Sequence, residues 1–364
     1  MSVKYDYLLV GAGLFNAIFA KEATRKGKKC LVVDKRPWVG GNLYCEDIED
    51  INVHKYGAHI FHTNNKEVWD YMNELCVFNN YVNSPLAKYK NKIYNLPFNM
   101  NTFYQLWGTK TPKEAADKIE QQRILMENPT NFEEQALSLV GRDIYNTLIK
   151  EYTEKQWGQD AKELPTFIIK RIPVRFTYNN NYFKDTYQGI PIGGYNPIFQ
   201  ECFKDCDIFL NMDFLHNRDL KKEATMTVFT GMIDQYYDFC YGALEYRSLY
   251  FEQIVLNMEN YQGNAVVNFT DKDTPYTRII EHKHFEYGEQ KKTVITKEYP
   301  LSWKEGLEPY YPINTVNNND LYDKYKERAN QEKSVCFAGR LGTYSYFDMD
   351  RVVMDALNMS KKII

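Results

Sequence analysis

Residues 4–15 read KYDYLLVGAGLF, an apolar run that ends at a glycine pair and leads into a helical pattern. Apolar residues recur on one face from Leu14 to Lys26, which is typical of an amphipathic helix. Gly11 permits the tight bend between strand and helix, and Gly13 lets the backbone approach a pyrophosphate. The pyrophosphate would lie on the unpaired N–H groups at the positive end of the helix. The stretch predicts a dinucleotide-binding site, although a glycine pair alone is equally compatible with an ordinary strand-helix turn.

The next apolar run strengthens this prediction. Residues 28–34 form a second predicted strand that ends at Asp34, whose carboxylate can accept the ribose hydroxyls of a dinucleotide. A glycine-containing loop follows from Lys35 to Asn42 and can pass closely over a cofactor. Asn16 stands where a third glycine usually allows close helix-strand packing. Either the helix lies slightly off the sheet, or the Asn16 amide contacts the cofactor.

The composition sets limits on size, partners and compartment. A chain of 364 residues suggests about two domains. The 45 basic and 48 acidic residues leave a net charge of −3, which favours neither nucleic acid nor a membrane surface as partner. No apolar run approaches the roughly 20 residues that span a bilayer, and seven cysteines without metal-ligand spacing fit a reducing compartment. We therefore expect a cytoplasmic protein with free thiols, no bound metal and no membrane insertion.

The order of predicted elements indicates an α/β protein with a discontinuous, Rossmann-like nucleotide-binding domain. Its segments are expected at residues 1–80, 190–235 and 315–364. A helical insert is expected at 100–165, where the pattern becomes helical. Residues 81–99, 166–189 and 236–314 alternate apolar and polar positions in short runs, which predicts an antiparallel sheet domain.

Eight stretches go beyond a generic nucleotide-binding protein. In their order and spacing they closely resemble bacterial UDP-galactopyranose mutases, over nearly the whole chain. These stretches are 56–63 (YGAHIFHT), 95–103 (NLPFNMNTF), 152–158 (YTEKQWG), 171–176 (RIPVRF), 276–285 (YTRIIEHKHF), 308–312 (EPYYP), 339–340 (GR) and 346–350 (YFDMD).

The resemblance implies a flavoenzyme that interconverts UDP-galactopyranose and UDP-galactofuranose without net redox change. In that family, N5 of reduced FAD attacks the anomeric carbon, displaces UDP and forms a flavin–sugar adduct. The adduct opens and recloses through the other ring oxygen. NAD(P)H or another reductant is needed only to reduce the flavin. The resemblance also implies a homodimer and a supply of galactofuranose for cell-surface polysaccharide.

The same resemblance implies roles for several arginines. Arg171 and Arg278 match the paired arginines that hold the diphosphate, a task that suits the fork geometry and permanent charge of guanidinium. Arg175 lies four positions from Arg171 and can in principle exchange roles with it. Arg247 and Arg340 are further cationic candidates near substrate or flavin, and salt bridges within the fold are the alternative for both.

Aromatic and amide side chains complete the implied substrate site. Tyr152 and Trp157 match the uridine side, where a planar base stacks on an aromatic face, although Trp157 also fits a core position. The remaining substrate residues are implied to be Asn83, Tyr182, Tyr311 and Tyr346. The polar stretch 158–164 is a candidate lid.

His59 matches a histidine beside the flavin ring, and positioning of the ring is favoured over general acid-base chemistry. For His62 a structural role is expected. Asp348, next to Tyr346, either orients that tyrosine or neighbouring backbone groups, or caps a helix. The full set of implied cofactor residues is Gly11, Gly13, Leu14, Phe15, Asp34, Lys35, Gly40, Gly41, Asn42, His59, Ile60, Arg340, Asp348 and Met349.

Two other classes share part of the pattern. A FAD oxidoreductase of the amine-oxidase or monooxygenase type explains the glycines and Asp34, but not a set of arginines and tyrosines suited to a diphosphate. A non-enzymatic nucleotide-sugar binder explains the latter set but has no need of flavin.

Overall fold

The computed structural model describes residues 3–171 and 174–364, apart from the side chains of Phe167, Lys170 and Arg171. Its strands are β1 (Tyr5–Val10), β2 (Cys30–Val33), β3 (Cys45–Ile48), β4 (Ile51–His54), β5 (Phe61–Thr63), β6 (Leu86–Tyr89), β7 (Lys92–Asn95), β8 (Tyr187–Gly189), β9 (Asp207–Phe209), β10 (Ala224–Phe229), β11 (Tyr246–Leu256), β12 (Val266–Phe269), β13 (Arg278–Glu281), β14 (Thr293–Ser302), β15 (Tyr311–Pro312) and β16 (Val335–Phe337). Its α-helices are α1 (Leu14–Arg25), α2 (Lys66–Leu75), α3 (Met100–Trp107), α4 (Pro112–Gln122), α5 (Phe132–Ile144), α6 (Lys150–Trp157), α7 (Asn196–Phe203), α8 (Ile233–Tyr236), α9 (Val316–Ala329), α10 (Gly339–Gly342) and α11 (Met349–Ile363).

A five-stranded parallel sheet has the order β16-β10-β1-β2-β9. Alternate residues of its strands face opposite layers: Leu9 and Val32 pack towards α1, α7 and α11, while Leu8 and Leu31 pack towards α8 and α9. Parallel strands covered on both faces read as continuous apolar runs, as they do here. The predicted Rossmann-like α/β fold is confirmed.

Asn16 has a structural explanation at the start of α1. Its Nδ2 donates hydrogen bonds to the carbonyl oxygens of Val10 (3.0 Å) and Gly11 (2.8 Å). The amide therefore joins the first turn of the helix to the end of β1, where a glycine would only allow close approach. Asn16 Oδ1 is buried and accepts no hydrogen bond from the described residues.

A second, seven-stranded sheet has the order β15-β11-β14-β13-β12-β6-β7. Its pairs are antiparallel, as expected, except that β6 runs parallel to β12. The difference has a topological cause, because parallel neighbours require a long connection. The chain between β6 and β12 includes the whole helical insert and easily supplies one.

Helices α3 to α6 pack around their own apolar cluster, which includes Phe103, Phe132 and Ile144 and extends to Ala87 and Tyr94 of the large sheet. Local signals fix where these helices begin. Asn99 and Thr102 form a capping box at α3, and the Thr111 side chain caps α4, whose first residue is proline. The insert is thus anchored on the seven-stranded sheet. The exact domain boundaries stay a prediction.

Candidate functional site

A deep cleft opens at the carboxyl end of β1, β2, β9 and β10, where open α/β sheets bind their ligands. Most of the residues that the sequence assigned to the cofactor line this cleft. They are Gly11, Gly13, Leu14, Phe15, Asp34, Lys35, Gly40, Gly41, Asn42, His59, Arg340 and Met349.

Two glycine loops meet at the floor of the cleft. A Cβ atom added to Gly41, whose φ is +55°, would lie 3.0 Å from the Cα of Gly13. The backbone N–H of Gly40 donates to Ala12 O over 2.8 Å and fixes the second loop against the first. No side chain caps the N-terminus of α1, and its first turn contains no acidic residue. The loops therefore leave backbone N–H groups free for an anionic ligand.

The carboxylate of Asp34 organises the adjoining turn. Asp34 Oδ2 accepts from the Ala12 N–H (2.7 Å), and Oδ1 accepts from the Arg36 N–H (2.8 Å). Each carboxylate oxygen has a second lone pair, so hydroxyl donors of a ribose can still bind there. Asp34 is therefore both a structural acceptor and a candidate ligand.

Lys35 and Asn42 belong to a charged network at the edge of the cleft. Lys35 Nζ and Arg36 Nη2 both pair with the carboxylate of Glu308, at 2.9 and 3.0 Å. The Arg36 guanidinium also donates to Asn42 Oδ1 and lies 4.4 Å from the ring centroid of Tyr56. The sequence reasoning did not single out Arg36 or Glu308, although both line the cleft.

Ile60 and Asp348 do not line the cleft with the other assigned residues. Ile60 is buried in an apolar cluster with Tyr81 and Phe285. Asp348 is the N-cap residue of α11, but its side chain makes no capping hydrogen bond. The hydrogen bond expected from the alternative, helix-capping role of Asp348 is therefore not formed.

Further cleft residues lie at the end of β10 and in the turns after β9 and β10, and the sequence motifs did not reveal them. They are Met212, Asp213, Phe214, Leu215, Phe229, Thr230, Gly231 and Met232. The sequence feature that could have located these residues is the end of each apolar run, because neighbouring parallel strands place their carboxyl ends at one edge of the sheet.

One face of the seven-stranded sheet carries the candidate substrate residues. Arg278 on β13 is paired with Glu298 on β14, and Arg247 on β11 is paired with Tyr311 on β15. Directly opposed residues present their side chains on the same face. Arg278 Nε lies 3.2 Å from Glu298 Oε1 in an ion pair. Asn268, opposite Arg278 on β12, has a buried Oδ1 to which no described residue donates.

Glu298 and Asn268 were not predicted, because their positions beside Arg278 depend on the pairing of strands distant in sequence. No local motif carries that information.

Tyrosine hydroxyls surround the Arg278 guanidinium. Arg278 Nη2 lies 3.5 Å from the hydroxyl of Tyr152 on α6. Burial acts to lower the pKa of Arg278, but Glu298 and the neighbouring Tyr152, Tyr311 and Tyr182 outweigh it, and the pKa is raised. The guanidinium therefore stays charged, with phenol groups at its side that can donate to the oxygens of an anionic ligand.

The cleft and the sheet face meet at His59 and Arg340. Gly57, two residues before His59, packs against Glu298 and Phe251 of the sheet, while His59 itself lines the cleft. Arg340 also lines the cleft, donates from Nε to Phe347 O over 2.7 Å and lies 4.9 Å from the ring centroid of Tyr346.

The ring of Tyr346 is in turn 5.7 Å from that of Tyr311. The two parts therefore form one continuous site.

His59 is held as a neutral imidazole. Burial, together with the charges of Arg340 and Arg278, lowers its pKa to about 4. Its Nδ1 lies 2.8 Å from Gly57 O, and Tyr195 Oη donates to His59 O. A neutral, fixed ring fits a positioning role better than proton transfer near pH 7.

His62 and Arg175 are engaged with protein groups. His62 Nδ1 lies 2.5 Å from Asp185 Oδ2, and its ring stacks on Phe183. Arg175 donates to the carbonyl oxygens of Asn181 and Tyr182. The side chain of Arg171 lies outside the described residues, so its proposed diphosphate role, and its exchange with Arg175, stay predictions.

The remaining substrate candidates lie at the edge of the helical insert and beside β8. Trp157, the last residue of α6, packs partly against the insert core, so the core interpretation of this ring retains support. Gly158 follows at φ +69°, and a Cβ atom there would lie 3.0 Å from Arg247 Nη1. Arg247 is buried and donates to Ser302 Oγ. Asn83 is buried with an unpartnered Oδ1 among the described residues.

Three histidines at this site, of which His54 and His282 are fully buried, predict a stability loss in acid. Burial lowers the pKa of His54 well below its usual range, that of His59 to about 4 and that of His282 to about 3. Between these values and pH 6.5 the unfolded chain binds more protons, so stability falls as the pH falls. At pH 5 the contribution from His282 is about 2 kcal/mol.

Urea unfolding at pH 7 and pH 5 measures this loss. In His282→Gln, which cannot titrate, the loss is expected to be smaller by about 2 kcal/mol. If the stability loss between pH 7 and pH 5 is the same in His282→Gln as in wild type, His282 is not neutral in the folded protein.

Within residues 3–171 and 174–364, no group of three His, Cys, Asp or Glu side chains is arranged to hold a metal ion. No helix of that part of the chain is long and apolar enough to cross a bilayer. The seven cysteines are free.

Comparison with known proteins finds family models that match the segments of the chain forming both parts of the site. A family model described as UDP-galactopyranose mutase matches residues 147–346, and a model of an NAD(P)-binding Rossmann-like domain matches residues 9–75. An Escherichia coli dTDP-fucopyranose mutase is 39% identical over 98% of each chain. A probable UDP-galactopyranose mutase of Klebsiella pneumoniae is 38% identical, over 99% of this chain and 94% of its own.

Solved structures show the same fold at low sequence identity. A crystal structure of reduced UDP-galactopyranose mutase superposes with a TM-score of 0.75 at 15% identity, covering 99% of this chain and 95% of the other. Putrescine oxidase bound to putrescine gives 0.61 at 10% identity, covering 99% and 98%.

Fold and cleft thus define a protein with a Rossmann-like nucleotide-binding domain. The chain belongs to the UDP-galactopyranose mutase family. It is a sugar mutase, and therefore an isomerase; the oxidoreductase and non-enzymatic alternatives are set aside.

Proposed function

We propose that the enzyme interconverts UDP-galactopyranose and UDP-galactofuranose with reduced FAD as its cofactor. The observation that carries the proposal is the Arg278 guanidinium, paired with Glu298 and flanked by the Tyr152 hydroxyl, on a sheet face continuous with the nucleotide cleft. A fixed cation with phenol donors beside it is suited to a diphosphate leaving group.

The cleft fits FAD. The close contact between Gly13 and Gly41 leaves no side chain between the loops and a pyrophosphate, and the uncapped start of α1 favours its charge. Asp34 offers acceptors for ribose, and His59 lies where the cleft meets the sheet. Bound and reduced, the flavin supplies the nucleophile for the anomeric carbon. Protein isolated without yellow colour that also takes up no FAD would contradict this assignment.

Arg278 acts on the leaving group. As the bond from the anomeric carbon to UDP breaks, negative charge grows on the diphosphate, and a guanidinium already in place stabilises it without reorganisation. Tyr311 and Tyr346, whose rings lie 5.7 Å apart, can donate to phosphate or sugar hydroxyl oxygens. Partial burial of this face limits competition from water.

His59 positions the flavin in this proposal and does not exchange protons with the sugar. Its Nδ1 contact to Gly57 O and the bond from Tyr195 to its own carbonyl fix the loop. The lowered pKa keeps the imidazole uncharged beside Arg340, which avoids repulsion between two cations.

Similarity also supports a second substrate pair, dTDP-fucopyranose and dTDP-fucofuranose. The identities to a dTDP-fucopyranose mutase (39%) and to a probable UDP-galactopyranose mutase (38%) are nearly equal and do not separate the two substrates. Both nucleotide sugars carry a diphosphate, so the arginine argument applies equally to each.

The test uses the FAD-bound enzyme reduced with dithionite. It is mixed in parallel with UDP-galactofuranose and dTDP-fucofuranose, and the nucleotide sugars are separated by chromatography. Formation of UDP-galactopyranose with the higher kcat/KM supports the proposal. A higher kcat/KM for the dTDP sugar would assign the second substrate, and no product from either would overturn both.

Replacing Trp157 by alanine is expected to weaken UDP binding about tenfold, since base stacking on an aromatic face contributes about 1–3 kcal/mol. Isothermal titration of UDP measures the effect. Trp107→Ala is the control, because Trp107 also packs against the insert core. An unchanged dissociation constant in Trp157→Ala would assign that ring to the core alone.

The other expectations belong to the same proposal. We propose a cytoplasmic homodimer whose flavin is reduced by NAD(P)H or another donor and whose product enters cell-surface polysaccharide. Sedimentation of the FAD-bound protein tests the dimer.

A further inference from the structure

The side chain of Lys155, on α6, is surrounded by backbone carbonyl groups. Its Nζ lies within hydrogen-bond distance of four carbonyl oxygens, those of Phe269 (2.8 Å), Asp271 (2.9 Å), Thr274 (2.8 Å) and Tyr276 (2.9 Å), which share its three N–H donors. All four acceptors belong to the end of β12 and the turn that leads to β13. One ammonium group therefore closes this turn upon itself and binds it to the helix.

Both partners of this contact carry proposed substrate residues. Helix α6 contains Tyr152 and Trp157, three residues before and two residues after Lys155. The turn leads directly into Arg278, the first residue of β13. In the described part of the chain, helix and strand are joined at the site itself by one polar contact, the long one of 3.5 Å from Arg278 Nη2 to the Tyr152 hydroxyl. The relative position of the two elements must be fixed elsewhere.

Two weaker contacts support the same junction. Thr270 Oγ1 donates to Thr147 O over 2.9 Å, and the Lys272 N–H donates to Glu151 Oε2 over 2.9 Å. Each is a single bond, whereas the three N–H donors of Lys155 face four carbonyl oxygens. The lysine is thus the main polar connection among those described between α6 and the turn.

The charge state of Lys155 matters to this contact. Burial lowers its pKa to about 8, while Asp271 and Glu151 act in the opposite direction. Four carbonyl dipoles aimed at Nζ further favour the ammonium form, because a neutral amine has only two hydrogens to donate.

We propose that Lys155 is a positioning residue that fixes α6 against the turn before β13, so that the base-binding aromatics and the diphosphate-binding Arg278 form one rigid unit. The inference rests on the proposed function of these residues. Lys155 itself is not assigned a contact with substrate or flavin.

The test compares Lys155→Met with wild type as complete, FAD-bound enzymes. Methionine keeps much of the side-chain volume but donates no hydrogen bond. We expect UDP affinity to fall about tenfold, as for loss of charged hydrogen bonds. KM for UDP-galactofuranose should rise by a similar factor, with a smaller change in kcat, and flavin content and its absorption spectrum should be unchanged.

Lys283→Met is the matched control. Lys283 is also buried, and its Nζ also donates to two backbone carbonyl oxygens, those of Glu259 and Gln290. Its substitution should lower thermal stability and leave the UDP dissociation constant as in wild type. An equal loss of affinity in both variants, or none in Lys155→Met, would overturn the inference.

Chemical rescue adds a measurement that general destabilisation would not move. Lys155→Ala leaves four carbonyl oxygens around the space that the ammonium group occupied, so ammonium or methylammonium chloride should restore UDP affinity, and tetramethylammonium chloride at equal ionic strength, whose cation is bulky and has no N–H donor, should not. Equal responses to the three salts would contradict the inference.

If the variants do not fold, hydrogen exchange of the wild-type holoenzyme tests the positioning role of Lys155 instead. UDP binding is expected to slow exchange of amides in 270–276 together with those of α6. Protection confined to α6 would overturn the inference. Wild-type enzyme that neither binds UDP nor converts either nucleotide sugar would instead refute the proposed function.

Discussion

Arg278→Ala is expected to lower turnover of UDP-galactofuranose by roughly a hundredfold or more, as for loss of a pre-positioned charge on a leaving group. Flavin content should be retained, because Arg278 lies on the seven-stranded sheet and does not line the nucleotide cleft. The same result is expected for Arg171→Ala, whose side chain lies outside the described residues. Steady-state rates with reduced enzyme measure both effects.

The ion pair with Glu298 requires a control for Arg278→Ala. Removing one member of a partly buried pair leaves an uncompensated charge, which destabilises the fold by itself. The double variant Arg278→Ala/Glu298→Gln removes that charge and should recover stability without recovering turnover. Arg25→Ala, which breaks exposed pairs with Glu22 and Glu74, should retain full activity. Near-native turnover in Arg278→Ala would refute the diphosphate role.

Gly41→Val is expected to abolish stable flavin binding. The residue has φ +55°, which a β-branched side chain rarely adopts, and its Cβ would lie 3.0 Å from the Gly13 backbone. The two loops must separate, and the pyrophosphate position between them is lost. The ratio of flavin absorbance to protein absorbance in the purified, oxidised protein reports the flavin content.

Gly27→Val separates backbone strain from loop contact. Gly27 also has positive φ, +73°, but a Cβ atom there meets no atom within 4 Å. This variant should lose some stability and keep its flavin. If both variants bind flavin equally well, close approach of the two loops is not needed for the cofactor.

The nucleotide-binding half of the fold could be predicted because its signals are local. Strand, turn, helix and acid follow one another within residues 5–34, and the cleft forms where they meet. Residues after β9 and β10 escaped notice because membership of a sheet is not visible in a short motif.

The candidate substrate residues on the seven-stranded sheet were harder to predict from the sequence. Resemblance supplied Arg278 and the tyrosines, but the partner of Arg278 depends on the register of β13 against β14. The neutrality of His59 likewise follows from burial and from Arg340, which is distant in sequence. No local pattern marks Lys155, since only the folded turn brings four carbonyl groups to it.

The central strands of the parallel sheet come from widely separated parts of the chain. β1 is bordered by β10 and β2, and β10 by β16, while the cleft draws on both Gly11 and Met349. During synthesis, the ribosome must release the chain as far as Met349 before this surface exists. The proposed flavin is therefore expected to associate only after that point. Until β16 emerges, β10 is unpaired on one side, and at this stage the nascent sheet is most exposed to chaperones and aggregation.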